Sequence, residues 1–331
     1  MVPFSHLVDL AAREGLRALA VLAPPGRLPS APLDQMFADG VGGLTWLLAQ
    51  REMRMEPTAM LPDAQSLVVV AWHYQPDAQC GDLRRARYAA GKDYHILLRQ
   101  KLGRIGRALG ASQRACVDSA PISERTLAQL AGLGWIGRNA LVIDPTAGTY
   151  RLLGVLLTGA LIERHDGGKS RDRCGVCTAC ETACPTKALI NRRVLTERCI
   201  SYLTIEHQGI IPRELALLFD GWWFGCDRCQ EVCPWNRFAP EASDPRLTGT
   251  ELDATLLTIT AEQFDPHFAG RAIRRLGYVR FRRNLLVALV SLGRHAECGP
   301  LLAEGLPLVL AQARELQLPD VPQDREPCAS P

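Results

Sequence analysis

The stretch that decides the fold of this chain is Cys174-Gly-Val-Cys-Thr-Ala-Cys-Glu-Thr-Ala-Cys-Pro185, with four cysteines ahead of a proline. A second run, Cys226-Asp-Arg-Cys-Gln-Glu-Val-Cys-Pro234, has the last three cysteine positions of the same pattern and lacks the first. One thiolate must therefore come from elsewhere in the chain. Cys199, between the two runs, is the obvious donor, and eight thiolates then serve two metal clusters.

The spacing is that of bacterial ferredoxins, in which the fourth cysteine of each run ligates the other cluster. It predicts two 4Fe-4S clusters, the first held by Cys174, Cys177, Cys180 and Cys233 and the second by Cys184, Cys199, Cys226 and Cys229. Four soft thiolates suit iron and sulfide. The alternative is zinc, which favours two separated Cys-x2-Cys pairs and has no use for a third cysteine two residues further on.

Length and composition indicate a globular chain of two or three domains, with 331 residues that are 47% hydrophobic and 22% charged. The N-terminus lacks the basic start and apolar stretch of a secretory signal. The longest apolar run, Leu152 to Ile162, is too short to span a bilayer and is read as a buried strand. We therefore expect a cytoplasmic protein without a membrane segment. Its clustered cysteines should bind metal. Four isolated cysteines are expected to be either buried small hydrophobic residues or exposed bystanders: Cys80, Cys116, Cys298 and Cys328.

The first part of the chain, residues 1–165, alternates strand-like and helix-like segments and is predicted to be an α/β domain. The predicted strands are Leu16 to Leu22, Ser66 to Tyr74, Arg114 to Asp118, Ala140 to Ile143 and Tyr150 to Leu161. The predicted helices are Asp34 to Arg54, Asp93 to Leu109 and Ser123 to Leu133, each beginning at a possible N-cap.

Two further regions follow. Residues 166–240 are predicted to be a bacterial ferredoxin-like domain with two clusters. Residues 241–331 are predicted to be a short α-helical, HEAT-like C-terminal region, with helices over Asn284 to Leu292 and Leu301 to Gln312 and a disordered end from Pro319 to Pro331.

The clusters by themselves leave the reaction open. Cysteine-held cubanes exchange single electrons, and such a relay needs a terminus. The chain has no Gly-x-Gly-x-x-Gly fingerprint and no Walker motif, so neither a nicotinamide site nor a nucleotide-hydrolysis site is indicated.

Several segments, taken together, resemble the epoxyqueuosine reductase family. They are Met53-Arg-Met-Glu-Pro57, Arg87-Tyr-Ala-Ala-Gly-Lys-Asp-Tyr-His95, Val117-Asp-Ser-Ala-Pro121, Ala131-Gly-Leu-Gly-Trp-Ile-Gly-Arg-Asn139, Arg198-Cys-Ile-Ser-Tyr-Leu-Thr-Ile-Glu206, Gly225-Cys-Asp-Arg-Cys-Gln-Glu-Val-Cys-Pro-Trp-Asn236 and Ala272-Ile-Arg-Arg-Leu-Gly-Tyr278. The resemblance is weakest in the first 30 residues and after Leu292.

The resemblance implies reduction of the epoxide of epoxyqueuosine, at the wobble position of transfer RNA, to the alkene of queuosine with loss of water. It further implies a cobalamin that receives electrons from the two clusters, and an external low-potential electron donor. We expect a monomer.

An acid must protonate the leaving epoxide oxygen, and Asp118 is the candidate because it follows a strand and matches the segment that carries the family's proton donor. A turn or capping carboxylate is the alternative interpretation. The resemblance also implies a set of cobalamin-binding residues: Arg54, Ala86, His95, Asp118, Val142, Leu153, Ser201 and Asp227.

A basic strip with interleaved aromatic residues, Tyr278 and Phe281, follows the connector to the C-terminal region. Its arginines are Arg271, Arg274, Arg275, Arg280, Arg282 and Arg283, and the segment has no acidic residue. Arginines neutralise phosphates and aromatic rings stack on bases, so the strip is predicted to contact transfer RNA; a solvated helix face is the alternative.

Three further functions compete with this interpretation. One is an RNA-binding module that uses its clusters structurally, which would bind transfer RNA but show no reductase activity. A ferredoxin-like electron-transfer subunit would explain the clusters but would leave the α/β domain without a role. A corrinoid reductive dehalogenase also pairs cobalamin with two clusters, but it would carry an export signal and would not need an arginine strip.

Overall fold

The computed structural model describes residues 1–74, 81–240, 242, 244–249, 253–319 and 321. Its α-helices are α1 (Phe4–Arg13), α2 (Ala31–Asp39), α3 (Trp46–Ala49), α4 (Arg51–Met55), α5 (Tyr94–Ala108), α6 (Glu124–Leu130), α7 (Ala179–Ala183), α8 (Ile200–Ile205), α9 (Arg213–Ala216), α10 (Arg228–Glu231), α11 (Asp253–Thr258), α12 (Ala261–His267), α13 (Gly277–Ser291), α14 (Gly299–Ala303) and α15 (Pro307–Glu315).

Its strands are β1 (Ala18–Leu22), β2 (Ser66–His73), β3 (Arg84–Arg85), β4 (Gln113–Cys116), β5 (Trp135–Ile136), β6 (Val142–Ile143), β7 (Arg151–Thr158), β8 (Leu189–Ile190), β9 (Arg193–Val194) and β10 (Trp222–Phe224). Short 3-10 helices cover Pro57–Met60, Arg87–Ala89, Thr196–Arg198, Pro234–Phe238, Pro245–Leu247, Ala272–Leu276 and His295–Glu297.

A four-stranded sheet in the order β1-β2-β7-β4 forms the centre of the N-terminal region, and all of its strand pairs are antiparallel. Its central strands are buried on both faces, which explains their nearly continuous apolar sequences. On one face Val68, Val70 and Trp72 pack with α1 and α5. On the other, Leu67 and Val69 pack with α6. The sheet is therefore the middle layer of three.

Helix α5 lies against this sheet and begins where the sequence predicts. The side chain of Asp93 caps it by accepting a hydrogen bond from the backbone N–H of His95 at 2.9 Å. Gly154 on β7 lets the helix approach closely, since a Cβ there would come within 2.9 Å of Leu102. This close packing holds the first turn of α5 beside the end of β4.

Two predicted helices are wrong in detail because glycines interrupt them. The helix predicted over Asp34 to Arg54 is three helices, α2 to α4, since Gly40 and Gly42 adopt φ of 94° and 53°. Asp34 lies inside α2, whose N-cap residue is Ser30. The helix predicted over Leu301 to Gln312 is α14 and α15, separated at Gly305, whose φ is 67°.

A second core joins the cysteine-rich segment to the C-terminal helices. Trp222 and Trp223 on β10 and Phe281 on α13 are fully buried in this one cluster. Strand β10 also pairs in parallel with β3, which lies between β2 and α5 in the chain. The cysteine-rich segment is thus packed against both of its neighbours. Among the described residues, no helix is both long enough and apolar enough to cross a membrane.

Candidate active site

The seven cysteines of the two sequence runs, together with Cys199, line two separate cavities. One cavity of about 190 Å³ is lined by Cys174, Cys177, Cys180 and Cys233. The other four, Cys184, Cys199, Cys226 and Cys229, line one side of a cavity of about 650 Å³. The grouping is the one that the crossover pattern predicts, with Cys233 joined to the first run and Cys199 completing the second set.

The protein surrounds these sulfurs with donors and low-dielectric packing. Trp135 donates its indole N–H to the Cys174 sulfur at 3.4 Å, and the backbone N–H of Ala188 donates to the Cys184 sulfur at 3.2 Å. Burial raises the pKa of Cys180 to about 11 and raises the pKa of Cys229 well above its ordinary value. Such thiols become thiolates only when a metal compensates their charge, and N–H donors to the sulfurs are the usual means of tuning a cluster potential.

The larger cavity lies between the sheet region and the cysteine-rich segment, and five of the eight predicted cofactor residues line it. These five are Arg54, Asp118, Leu153, Ser201 and Asp227. The other three do not: Ala86 and Val142 are buried, and His95 is buried behind Asp118. The structure therefore brings the candidate acid and the second set of cysteines to one cavity.

Asp118 projects into this cavity from the loop after β4, with 60% of its side chain exposed. Its backbone is left-handed, with φ of 47°, which is uncommon for a non-glycine residue. His95 Nε2 lies 2.8 Å from the Asp118 carboxylate, and His95 Nδ1 lies 2.6 Å from Asp93. The three side chains form a continuous carboxylate–imidazole–carboxylate chain that ends at the cavity.

Burial, hydrogen bonds and nearby charges set the protonation of this Asp93–His95–Asp118 chain. Burial lowers the pKa of His95, but hydrogen bonds to Asp118 and Asp93 raise it above its ordinary value. Desolvation raises the pKa of Asp118, but the hydrogen bond and charge of His95, together with the charge of Arg275, lower it below its ordinary value. The chain therefore favours an imidazolium between two carboxylates.

Glu124 is a site residue that the sequence interpretation missed. It begins α6, lines the larger cavity, and burial raises the pKa of its carboxyl to about 8. Arg54, on the same wall, donates to the carbonyl oxygen of Ile122 at 3.1 Å. The sequence signal was the position of Glu124 shortly after Asp118, but no pattern distinguishes it from an ordinary first-turn acid.

Asp227 fixes the second cysteine run to the stretch that leads into α5. Its buried carboxylate accepts a hydrogen bond from the backbone N–H of Arg87 at 2.7 Å and another from Gln230 at 3.0 Å. Burial raises its pKa to about 6. Asp227 therefore also has a structural function, since it holds the cavity wall together beside Cys226.

The arginines of the strip fall into a buried group and a more exposed group. Arg283 is fully buried and donates to the backbone carbonyls of residues 203, 207 and 209. Arg282 is 2% exposed and pairs with Glu304. Phe281 is also buried. The prediction that these two arginines contact RNA is wrong in this structure, because their guanidinium groups are used inside the helical core.

The other arginines lie nearer to solvent. Arg280 donates to the carbonyls of Ile205, Leu276 and Arg275 and is half-buried. Arg271 is also half-buried. Arg274 and Arg275 are exposed, and the charge of Arg275 reaches Asp118. The exposed part of the strip is therefore short and adjoins the candidate acid.

The isolated cysteines differ in place. Cys116 and Cys298 are buried, as expected for small apolar side chains. Cys80, Cys328 and the predicted disordered end beyond residue 321 lie outside the described residues.

Comparison with known proteins decides the family. Residues 173–236 match the model described as a 4Fe-4S double cluster binding domain, and residues 54–119 match the model described as epoxyqueuosine reductase QueG, DUF1730. The epoxyqueuosine reductase of Vibrio cholerae serotype O1 is 38% identical over 267 residues, which cover 75% of this chain and 72% of that relative. The chain belongs to the epoxyqueuosine reductase family.

Epoxyqueuosine reductases are oxidoreductases, so the enzyme class of this chain is settled. The Escherichia coli K12 family member is 38% identical over 268 residues, covering 75% of this chain and 70% of that protein. The double-cluster match confirms the prediction of iron–sulfur clusters over zinc.

Solved epoxyqueuosine reductases confirm the predicted fold class. A crystal structure with an epoxyqueuosine-modified tRNA-Tyr stem loop has a TM-score of 0.82 at 27% identity, covering 95% of this chain and 89% of that chain. A Bacillus subtilis epoxyqueuosine reductase, described with the loop of a catalytic aspartate swung out of the active site, has a TM-score of 0.76 at 26% identity. The match covers 94% of this chain and 84% of that one.

Proposed function

We propose that this chain reduces epoxyqueuosine in transfer RNA to queuosine. The reaction consumes two electrons and two protons, breaks the two C–O bonds of the epoxide, forms the alkene and releases water. One observation carries the proposal: the candidate acid Asp118 and the cysteines of the second set open onto the same cavity. The relative solved with a modified tRNA stem loop supports this class of substrate.

The cavity also suits a cobalamin, whose corrin ring is surrounded by amide side chains. Buried polar atoms on Arg54, Glu124, Asn139 and Arg151 have no hydrogen-bond partner within the described part of the chain, and all four residues line the cavity. Unpartnered buried polar groups are costly unless a ligand satisfies them. When bound, a cobalamin would supply a cobalt centre for electron delivery at the epoxide carbon.

Asp118 would supply the proton at the leaving oxygen. Its carboxylate faces the cavity, and His95 stands behind it with a raised pKa. Filling the cavity removes water from Asp118, which favours its protonated form, and His95 can provide that proton through the 2.8 Å contact. Asp93 stabilises the imidazolium and orients the ring.

The test is turnover on transfer RNA bearing epoxyqueuosine. Anaerobically purified protein should contain about eight iron atoms and bind one cobalamin per chain, and with a low-potential reductant it should convert the modified nucleoside to queuosine, measured by nucleoside mass spectrometry. Iron without cobalamin binding or turnover would instead favour an electron-transfer subunit.

We further propose that the enzyme acts as a monomer in the cytoplasm, where its transfer RNA substrate is found, and receives electrons from an external low-potential donor. A mass measurement in solution tests the first point. A second, independent question is where that donor binds.

A further inference from the structure

The cavity of the first cysteine set lies at the protein surface. Cys174 and Cys177 stand on a loop whose Val176 side chain is 98% exposed. The second set faces the larger cavity onto which Asp118 opens. Its Cys199, Cys226 and Cys229 thiols are buried more deeply than those of Cys180 and Cys233 in the first set. Because electron transfer weakens steeply with distance, electrons bound for that cavity should enter at the first set and leave from the second.

Basic side chains surround this exposed loop. Lys169, Arg171 and Arg173 precede Cys174 and are exposed, and Arg237 follows Cys233 and is exposed. Arg173 and Arg237 line the cavity of the first set. The surface therefore has a dense positive charge close to the first cysteine set.

Acidic neighbours do not cancel this charge. Asp172 is paired with Arg192, and Glu181 lies 3.5 Å from Arg138. No ion pair to a carboxylate is formed by Arg171, Arg173 or Arg237 within the described ranges 1–74, 81–240 and 253–319. These three cations are available to a partner.

Two exposed apolar side chains accompany these cations. Val176 projects from the cysteine loop, and Phe238, 45% exposed, lies under the guanidinium of Arg237 at 4.5 Å from the ring centroid. Small apolar contacts inside a charged rim are typical of brief redox encounters, which bury little area and rely on electrostatic steering.

We propose that Val176, Phe238 and the surrounding cations form the docking surface for an acidic one-electron carrier protein. We name it the electron-entry surface: Lys169, Arg171, Arg173, Val176, Arg237 and Phe238. This inference rests on the proposed function in one respect, since that function requires an electron donor. It specifies the charge and the redox chemistry of that donor. A carrier with a negative rim around its redox centre would place that centre over the first cluster.

The experiment uses the cluster-loaded protein and an acidic flavodoxin as the probe. Anaerobic stopped-flow absorbance follows cluster reduction by reduced flavodoxin at several salt concentrations. The double variant Lys169→Glu, Arg171→Glu changes exposed residues outside the lining of the cluster cavity. It should slow the second-order rate by about tenfold or more and reduce its salt dependence. Iron content, and the rate with dithionite, a small chemical reductant, should remain as in the parent.

A matched control is Arg107→Glu plus Arg114→Glu, since both arginines are exposed and lie on α5 and β4 of the sheet region. This control should leave the flavodoxin rate within about twofold. An equal loss of the flavodoxin rate in both double variants, or no loss in the first, would overturn the docking surface. Turnover on transfer RNA driven by dithionite would still test the proposed function separately.

The apolar part has its own test. Val176→Asp adds a negative charge to the electron-entry surface without removing a cation and should also slow reduction by flavodoxin. Transfer RNA affinity of all these variants should match the parent. If the Lys169 and Arg171 variant lost transfer RNA binding instead, the surface would be an RNA site and the proposal would be wrong.

Discussion

At the scale of single residues, the loop that carries Asp118 has a strained backbone that the proposed function of Asp118 explains. Asp118 holds a left-handed backbone with φ of 47° although it is not glycine. Such conformations cost about 1–3 kcal/mol and persist where the surroundings enforce them. Here the His95 ring, itself fixed by Asp93, holds the carboxylate toward the cavity.

Replacing Asp118 by Asn should remove the proton at the leaving oxygen while keeping the side chain's size. We expect turnover to fall by at least about 10² to 10⁴, with cluster spectra and cobalamin affinity unchanged. Single-turnover kinetics on modified transfer RNA measure the loss, with Ser119→Ala as the control. Full activity of the Asn variant would contradict the assignment of Asp118 as the acid.

The His95 chain should make stability depend on pH in two directions. The folded pKa of His95 is raised above 6.5, so its contribution is complete below that value and is lost as pH rises through the folded pKa. The folded pKa values of Asp93 and Asp118 are lowered from 3.8, so their contribution is present above that value and is lost at more acid pH.

Urea unfolding of the cluster-loaded protein between about pH 5 and pH 9 checks the alkaline side of this pattern. The parent should lose stability as the pH rises above neutrality, and His95→Gln should lose that slope. His6→Gln, at an exposed position on α1, is the control. A slope that His95→Gln leaves intact would assign the pH dependence to other groups.

At the scale of elements, α13 has a different function from the one its sequence suggests. The arginines around its start predict an RNA-binding face, but Arg282 and Arg283 turn inward. Asn284 beside them donates to the carbonyls of Thr204 and Trp223 at 2.7 and 2.9 Å. The buried polar groups thus attach the cysteine-rich segment to the C-terminal helices.

Arg283→Met should destabilise the fold, because it keeps an apolar stem but leaves several buried carbonyls without a donor. We expect a loss of about 3 kcal/mol in the free energy of unfolding, against less than about 0.5 kcal/mol for the exposed Arg274→Met. Denaturant titration compares the two. Equal stability of both variants would show that the buried hydrogen bonds contribute little.

RNA binding by the exposed end of the strip, Arg274 and Arg275, stays a prediction. Charge reversal at Arg274 and Arg275 should weaken transfer RNA binding and flatten its salt dependence, because each phosphate that is no longer neutralised lowers the salt slope by about one. Fluorescence anisotropy at several salt concentrations measures both the affinity and the slope. Cluster spectra should not change, and unchanged affinity would place the RNA interface elsewhere.

At the scale of the whole molecule, two regions of the chain line one cavity and a third acts on it. The sheet region supplies Asp118 and the cysteine-rich segment supplies the second cysteine set. From the C-terminal region, the charge of Arg275 lowers the pKa of Asp118. The predicted boundary at residue 240 does not separate two cores, since one buried cluster includes Trp223 and Phe281. We expect these regions to unfold together rather than in turn.

The displaced ligand Cys199 gives a test at this scale. Cys199→Ala should lower iron from about eight to about four or five atoms per chain, with loss of the second cluster, and should stop turnover even with a chemical reductant. Cys298→Ala, at a buried cysteine outside both sets, should keep full iron. Full iron in the Cys199 variant would require another ligand.

The sequence by itself determined the cluster chemistry, because the spacing of cysteines is a local property of the chain. It also determined the central strands and the start of α5, where the apolar pattern and the capping residue Asp93 agree. What only the tertiary structure decided is the function of residues whose surroundings come from distant segments. Glu124 lines the cavity, His95 pairs with Asp118, and Arg283 donates hydrogen bonds inside the core. No local sequence pattern predicts these roles, because burial and pairing depend on contacts between distant segments.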